Sequence, residues 1–430
     1  MEDTTHDPHR IGPLSGVRVI EVGGENGQWA GKLLADMGAG VIKVEPPDGC
    51  RERRIGPFAE DTPDPNRSLF FWASNTSKRG VTLALDHPDA PALLRRALAD
   101  ADVLIESLPP GTLAARGLAP ADLVADLPRL IVASVSPFGQ TGPWRDFAAT
   151  DLTQIALGGP MASCGYDAED DPDAPPIRPA GHHAAAMAGV YAANAVMAAL
   201  LARSSSGAGQ CIDISVHEAC AATTEGAFPQ WEYSGQIVRR QTGRHASPVY
   251  TQPWQHRCMD GRYINLMGGG IPRNPTSWRP LVRWMAEKDL AGDLEDPRFE
   301  QTMYVPVAER RGNPDVAYVM DTLHGFVRAL PAEEVYRGGQ AARLPYGFIR
   351  SPEENLSDPH WEDRGYFRTL DHPELGRAYP YPGVPYRFTG TPGGPHHRAP
   401  LLGEHNVAVY CGELGLSRDD LRRYFEAGVI

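Results

Sequence analysis

The chain has 430 residues, of which 42% are hydrophobic and 22% are charged, a composition typical of a soluble globular protein. This length exceeds what one hydrophobic core usually organises, so we expect two domains. The 41 basic and 54 acidic side chains give a net charge of −13, which argues against surfaces for nucleic acids or anionic membranes. An anionic ligand would therefore need local basic residues.

Targeting and metal signals are weak along the whole sequence. Residues 1–13 lack the apolar core of a signal peptide, and we expect no apolar run long enough to span a membrane. The six cysteines form neither a CxxC pair nor a zinc-binding spacing, so reduced thiols and no metal site are expected. These features predict a cytoplasmic protein.

The first 220 residues alternate β-branched runs with helical patterns, which is typical of βαβ units. The strands lack polar alternation, which indicates a parallel sheet covered on both faces. We therefore predict an α/β fold with a Rossmann-like layer. Strands are predicted at 17–22, 41–45, 81–85, 103–106, 130–135 and 210–216, and helices after the turn at 23–27 and at 88–101, 121–128 and about 184–203.

The pattern changes from about residue 228, where aromatic residues and prolines become dense. Asp260-Gly261 is a hairpin signal between two strand-like runs. Helices are predicted near 276–286 and 316–330, so this part indicates a smaller α+β domain. The tail from Pro352 is predicted to be rich in loops and to end in an amphipathic helix around 418–426.

The first βαβ pattern has two interpretations. A second strand ending in Glu45 fits a dinucleotide site, in which that carboxylate would bind a ribose. However, Gly23, Gly24 and Gly27 give GGxxG rather than GxGxxG. We therefore favour a turn with another role over a nicotinamide-nucleotide site.

Eight segments in a fixed order carry a resemblance to a known family. The chain resembles the family III CoA-transferases (the CaiB/BaiF family) over some 400 positions. The segments are 14–47, 75–85 (NTSKRGVTLAL), 101–111 (ADVLIESLPPG), 128–143 (PRLIVASVSPFGQTGP), 150–159, 181–210, 363–367 (DRGYF) and 399–405 (APLLGEH).

The resemblance implies a domain organisation, an assembly and a reaction. Residues 1–227 would form the N-terminal part of a large Rossmann-like CoA-binding domain, 228–340 the small α+β domain, and 341–430 a segment that returns to the large domain. Family members form interlocked dimers. They move CoA from an acyl-CoA, such as succinyl-CoA, to an organic acid, so coenzyme A is a substrate and no permanently bound cofactor is expected.

One position departs from the family pattern. In the family, an Asp four residues before a helix glycine attacks the acyl-CoA and forms a mixed anhydride, releasing the CoA thiolate. The thiolate then returns to give an aspartyl-CoA thioester, from which CoA passes to the acceptor acid. Counting back from Gly189 leads to Ala185, whose methyl group cannot act as a nucleophile. The chain thus resembles the subunit that lacks the Asp in two-subunit enzymes of the benzylsuccinate CoA-transferase type.

Basic residues and a glycine loop are candidates for holding CoA. Lys78 and Arg79 stand where a strand begins, and a cation there can meet a phosphate. Arg116 follows a PPG turn, and the loop after the fifth strand allows close backbone approach. The alternative for each cation is an ordinary solvated surface charge. The predicted CoA-binding residues are Glu25, Lys78, Arg79, Arg116, Ser136, Phe138 and Gly139.

Catalytic residues are left open by the missing Asp. His182 and His183 are candidates for a base or an orienting donor, although lining a pocket is the simpler role. Asp151 after Thr150 fits a helix cap. The related α-methylacyl-CoA racemases use a His–Asp pair at positions that here hold Thr150 and Ala185, which disfavours racemisation.

Three functions therefore remain. The chain is the subunit without the nucleophile in a heteromeric CoA-transferase whose paralogous partner supplies the Asp. Alternatively, it is a homodimeric acyl-CoA enzyme with a different mechanism, in which His182 or His183 acts as base. The third possibility is a non-catalytic protein that binds acyl-CoA.

Overall fold

The computed structural model describes residues 12–167, 171–224 and 226–430, so most of the N-terminal stretch inspected for a signal peptide lies outside it. The chain forms two compact units. Unit 1 comprises Met1–Gly158, Ala180–Thr223 and Asp358–Ile430. Unit 2 comprises Gly159–Pro179 and Thr224–Ser357.

Unit 1 is built on a six-stranded sheet with the order β3-β2-β1-β4-β5-β6, in which all neighbouring strands are parallel. This confirms the predicted α/β fold. The third strand begins two residues before its predicted start and ends three residues before its predicted end. The strands are β1 (Arg18–Gly23), β2 (Gly40–Glu45), β3 (Arg79–Thr82), β4 (Val103–Ser107), β5 (Ile131–Ser136) and β6 (Cys211–Ser215).

Helices connect these strands. The sequence predicted no helix at 69–74, because six residues leave no room for a periodic pattern, whereas the Thr150–Asp151 cap marked the start of the helix at 151–157. The helices are α1 (Glu25–Asp36), α2 (Leu69–Ser74), α3 (Ala90–Leu98), α4 (Pro120–Asp126), α5 (Asp151–Leu157), α6 (His183–Ser206) and α7 (Val216–Ala222).

Helix α6 corrects one expectation. It has 24 residues, and its most apolar stretch has a mean hydropathy of 1.7, so it is long and apolar enough to cross a membrane by length and composition alone. Its buried face consists mostly of small residues and packs on α1. A Cβ on Gly189 would lie 2.7 Å from Trp29 Cβ, so glycine is required for this close approach. Helix α6 therefore packs as a core helix of unit 1.

Unit 2 contains the expected hairpin around Asp260-Gly261, in which β10 pairs antiparallel with both β9 and β11. Its core is a cluster of buried apolar side chains from the strands and helices of the unit, among them Ile264, Leu266, Phe299, Leu323 and Phe326. The elements are α8 (Ala227–Ser234), β7 (Arg239–Gln241), β8 (Arg244–Ser247), β9 (Gln255–Arg257), β10 (Tyr263–Leu266), α9 (Pro275–Glu287), α10 (Pro297–Glu300), α11 (Pro314–Arg328), α12 (Ala332–Ala341) and β11 (Tyr346–Phe348).

The C-terminal part of unit 1 differs from the predicted loop-rich tail. It contains an antiparallel hairpin, which the sequence missed because Pro380 and Pro382 within the second strand weakened the pattern. Such prolines fit this two-stranded sheet, where each strand has a free edge. The elements are α13 (Pro359–Asp363), β12 (Phe367–His372), β13 (Arg377–Pro382), a π-helix at Val407–Glu413 and α14 (Arg418–Glu426). The last helix has the predicted bounds.

Candidate active site

The N-terminal ends of α1 and α6 meet beside the carboxyl end of β1. Glu25 is the first residue of α1, and His182 caps α6. The Glu25 Oε1 contacts His182 Nδ1, and the imidazole lies against the ring of Phe70 with 4.3 Å between the ring centroids. Both polar side chains are partly exposed. The structure therefore brings Glu25 and His182 together as an acid–imidazole pair that solvent can reach.

A second carboxylate orders the start of α1. Glu52 is buried and its Oε1 accepts a hydrogen bond from the Glu25 backbone N–H at 2.9 Å. The Gly24 N–H donates to Ser107 Oγ at the end of β4 at 3.0 Å. Negative charge is favourable at a helix N-terminus, so Glu52 and the first-turn Glu25 suit this place. These contacts fix the backbone that carries Glu25.

Ala185 lies in the first turn of α6, three residues after His182, and is 5% exposed. The preceding Ala184 N–H donates to Asp151 Oδ1 at 2.8 Å. Asp151 itself begins α5, whose cap is a reciprocal pair formed by Thr150 and Thr153. Asp151 thus has the structural role expected at a helix start, and in addition it tethers α5 to α6 one residue from Ala185.

His183 differs from its neighbour. Its Nε2 lies 2.7 Å from the Ala180 carbonyl, and it follows Gly181, whose φ of 103° turns the chain into the helix. This imidazole has a local backbone partner rather than a carboxylate. Of the two histidines that the sequence proposed, the geometry places His182 with an acid.

The loop after β5 forms another wall of the carboxyl edge of the sheet. Ser136 is fully buried at the end of β5, and Gly139 has a φ of 88° that favours glycine. Both carboxylate oxygens of Asp213 accept from the Gln140 N–H, at 3.0 and 2.9 Å. The Pro137 carbonyl accepts from Gln154 Nε2 of α5 at 3.1 Å. The loop is therefore fastened to both β6 and α5.

Aromatic rings cover this loop. Phe138 lies 5.8 Å from Trp144 and 5.6 Å from His217 between ring centroids, and Trp144 stacks on Phe147 at 6.3 Å. Trp144 and Phe147 are exposed, at 43% and 58% of their surfaces. The sequence pointed to Phe138 through the family resemblance, but nothing in the spacing of Trp144 or Phe147 marked them as its neighbours.

Several polar atoms near this loop are buried and make no hydrogen bond within the described part of the chain. They include Ser136 Oγ, Gln140 Nε2 and Gln154 Oε1. Buried polar groups are nearly always paired in folded proteins. These unpaired atoms beside one loop therefore suit a ligand that has both hydrogen-bond donors and hydrogen-bond acceptors. Nearby, burial raises the pKa of Glu106 at the end of β4.

The other predicted CoA-binding cations lie elsewhere. Lys78 is fully buried, and its Nζ lies 2.7 Å from Glu21 Oε2 and donates to the Gln28 carbonyl at 2.7 Å. Arg79 is the first residue of β3, at the amino edge of the sheet, where it pairs with Glu413. Lys78 and Arg79 thus each have a carboxylate partner within unit 1, and their binding of CoA stays a prediction.

Arg116 pairs with Asp86 and donates to the carbonyls of Thr112 and Leu85 at 2.8 and 3.1 Å. Its guanidinium is partly exposed. None of these contacts joins Arg116 to Glu25 or His182. Its binding of CoA stays a prediction.

Comparisons with known proteins agree over the length of the chain. The model of CoA-transferase family III matches residues 14–406. The chain is 33% identical to succinyl-CoA:(R)-benzylsuccinate CoA-transferase subunit BbsE of Thauera aromatica, over 95% of the chain and 97% of that protein. It is 34% identical to succinyl-CoA–D-citramalate CoA-transferase of Chloroflexus aurantiacus, over 95% and 96%. A CaiB/BaiF family protein from Brucella suis superimposes with a TM-score of 0.77, at 27% identity over 94% of the chain and 100% of that structure.

Proposed function

Because the chain belongs to CoA-transferase family III, we propose that it transfers CoA between an acyl-CoA and an organic acid as the subunit without the nucleophile in a two-subunit enzyme. A paralogous chain would supply the missing carboxylate. The similarity to a relative described as a subunit supports this assembly. The donor is proposed to be succinyl-CoA, which the names of both relatives above contain.

The observation that carries the proposal is Ala185 itself. Its methyl group is buried in the first turn of α6, where the resemblance implies an Asp. The neighbouring carboxylate of Asp151 is engaged by the Ala184 N–H. The family match extends over residues 14–406 on both sides of this position. A partner with an intact Asp restores covalent catalysis without changing this chain.

The loop after β5 supports CoA binding. The pantetheine arm of CoA carries two amides, each with a donor and an acceptor. Ser136 Oγ, Gln140 Nε2 and Gln154 Oε1 are buried polar atoms without a hydrogen bond among the described residues, and amides complement them. Gly139 lets the backbone approach such a ligand closely.

Exposed apolar side chains support an assembly with a second chain. Leu201 on α6, Leu157 on α5 and Phe147 on the β5 loop are 73%, 56% and 58% exposed. Large apolar groups left in water on neighbouring elements are typical of surfaces that another chain covers. We propose an interlocked dimer of the family type, with the paralogue as the second chain.

The first test is reconstitution. The chain is purified alone and together with a family paralogue from its own cells, and each sample is given succinyl-CoA with (R)-benzylsuccinate or D-citramalate. We expect transfer only in the mixed sample, which should have the native mass of a heteromer. Exchanging the paralogue's Asp for Ala should abolish transfer. Full activity of this chain alone would refute the proposal.

A matched pair of variants tests the position of the missing group. Ala185→Asp places a carboxylate in the first turn of α6, whereas Ala188→Asp places it three residues further along the same buried face. We expect some transfer by the chain alone in the first variant and none in the second, provided that thermal unfolding shows both to be folded. Equal activity of the two would show that position 185 is not the site of attack.

A second candidate function is favoured by the Glu25–His182 contact. A carboxylate that orients an imidazole is the arrangement of a general base. With such a base, the chain alone would remove a proton from water as its oxygen attacks the thioester carbonyl, releasing the acid and CoA. This candidate predicts thioester hydrolysis rather than CoA transfer.

Single variants separate this candidate from the first. His182→Ala and Glu25→Gln should abolish hydrolysis of succinyl-CoA by the chain alone, while His183→Ala should retain it because that imidazole bonds to the Ala180 carbonyl. Unchanged hydrolysis in His182→Ala, or none in the unmodified chain, would exclude the hydrolytic function and leave the two-subunit transferase untouched.

A further inference from the structure

The C-terminal part of unit 1 contains a cavity of about 670 Å³. It is framed by α13, the start of β12 and the loop that follows β13. This volume lies within the range of small-molecule sites, roughly 300–1,000 Å³. The lining residues that matter below are Trp361, Arg364, Tyr366, Arg368, Tyr386 and Arg387.

The cavity carries uncompensated positive charge. Arg364, Arg368 and Arg387 line it, and no Asp or Glu does. Within the described residues, the guanidinium groups of Arg364 and Arg368 make no ion pair or hydrogen bond, and that of Arg387 donates only to the Asp363 carbonyl at 3.3 Å. Most other arginines of unit 1 are paired with carboxylates. Three guanidinium groups without a carboxylate partner around one cavity, in a chain with a net charge of −13, point to an anionic ligand.

Aromatic rings give the same cavity flat walls. The Trp361 and Tyr366 rings lie 4.6 Å apart at 63°, and the Tyr386 and Phe388 rings lie 5.4 Å apart at 62°. Trp361, Tyr366 and Tyr386 are only partly exposed. Such walls stack well against a planar ring, and the arginines can stack as well as pair. The ligand that satisfies both features has a flat heteroaromatic ring and phosphate groups.

The backbone that shapes the cavity has little freedom. The Gly383 N–H donates to the Tyr366 carbonyl at 2.9 Å, and a Cβ on Gly383 would lie 2.2 Å from that oxygen. Only glycine permits this close contact between the two walls. The arginine and aromatic side chains therefore project from fixed positions.

The cavity lies at the end of α1 remote from the candidate active site. The Gly394 N–H, next to the lining residue Gly393, donates to the Asp36 carbonyl at 2.7 Å, at the last residue of α1. Glu25, which contacts His182, is the first residue of this 12-residue helix. A helix of that length spans about 18 Å, so the two places are separate.

We propose that this cavity is a binding site for a nucleotide, with the base between the aromatic walls and the phosphates on Arg364, Arg368 and Arg387. Both a free nucleotide and the nucleotide end of CoA have this chemistry. A free nucleotide at this place is a ligand additional to the reacting acyl-CoA.

The test is calorimetric titration of the full chain with ADP, with adenosine and pyrophosphate as separate probes. ADP should bind at a single site and more tightly than either part, and its affinity should fall as salt rises. The variant Arg364→Gln/Arg368→Gln/Arg387→Gln should bind ADP at least about tenfold more weakly, since charge-assisted bonds to phosphate are lost. The control replaces Arg283, Arg337 and Arg422, arginines outside the cavity, with Gln and should bind as the unmodified chain does.

Titration with CoA distinguishes a free nucleotide from the nucleotide end of CoA as the ligand of the cavity. A free nucleotide is the ligand if the cavity variant loses affinity for ADP but not for CoA, and the nucleotide end of CoA is the ligand if both affinities fall. Absence of saturable ADP binding, or equal affinity in the cavity variant and the control, would overturn the proposal. The cavity arginines are exposed, so these variants should unfold at the same temperature as the unmodified chain. None of these outcomes depends on whether the chain transfers CoA.

Discussion

The interiors of the two units are stabilised differently. In unit 1, Glu21 lies between Lys43 and Lys78, at 2.8 and 2.7 Å, and all three side chains are at most 1% exposed. In unit 2, the buried cluster is apolar and includes Leu266, Phe299 and Phe326. The interior of unit 1 thus contains a buried charge cluster beside its apolar cluster, whereas the large buried cluster of unit 2 is apolar.

The shared carboxylate makes the charge cluster of unit 1 asymmetric. Burial opposes the charge of both lysines, but Glu21 holds the pKa of Lys43 above its usual value. Burial lowers the pKa of Lys78 to about 8, despite the same carboxylate. A further buried pair, Arg53 with Glu45, lies at the end of β2.

The largest effect is expected from Glu21→Leu. It leaves two buried ammonium groups without their shared counter-ion, and breaking a buried ion pair in this way costs about 3–5 kcal/mol. Urea unfolding, combined with hydrogen exchange of peptides from unit 1, measures the loss.

The control for this variant is Asp126→Asn, which removes an exposed pair with Arg95 and should cost less than about 1 kcal/mol. If both variants lose the same small amount, the charges of unit 1 do not hold its interior, and the contrast with unit 2 disappears.

In unit 2, Leu323→Ala should lower the free energy of unfolding by about 2–5 kcal/mol, because Leu323 is 1% exposed and truncating its side chain leaves a cavity. The loss should not change with salt, unlike effects that arise from charges. Leu356→Ala, at an exposed position of the same unit, should be nearly neutral. Hydrogen exchange should report the loss in unit 2 peptides. A strong dependence of this loss on salt would contradict the apolar account.

The two units also differ in how far their sequences predicted them. In unit 1, consecutive apolar residues such as Val103, Leu104 and Ile105 predicted strands close to their observed bounds, because a strand buried on both faces lacks polar alternation. In unit 2, the hairpin was predicted from Asp260-Gly261, but the third strand, Tyr346–Phe348, was not, because three residues carry no periodicity.

The candidate site was predictable only in part. The family resemblance led to Ala185 and His182, and these lie in adjacent turns at the start of α6. The partner of His182 is Glu25, 157 positions away, and no spacing rule joins residues that meet through the packing of α1 on α6. Likewise, nothing in the sequence showed that the ammonium of Lys78 is turned into the interior by Glu21. Long-range contacts between side chains are decided by tertiary packing.

The smallest expected effect concerns the pH response of a pair of partly buried histidines in unit 2. The rings of His256 and His324 lie 3.9 Å apart, and burial, followed by the neighbouring His256 and Arg328, lowers the pKa of His324 to about 4. Burial also lowers the pKa of His256. The unfolded chain therefore binds a proton at each imidazole below about pH 6.5, whereas the folded chain protonates each imidazole only at a lower pH.

Because the unfolded state takes up more protons in that range, the stability of unit 2 should fall as pH decreases from about 6.5 towards 4. His324→Phe should make this fall shallower, since it removes the more strongly shifted group and preserves a ring beside His256. His360→Gln, an exposed position in unit 1, should leave the slope unchanged. Hydrogen exchange of unit 2 peptides at pH 7, 6 and 5, corrected for the intrinsic exchange rate, measures the slope. An identical slope in His324→Phe would show that this pair does not couple protonation to folding, and that unit 2 owes its acid sensitivity to its surface.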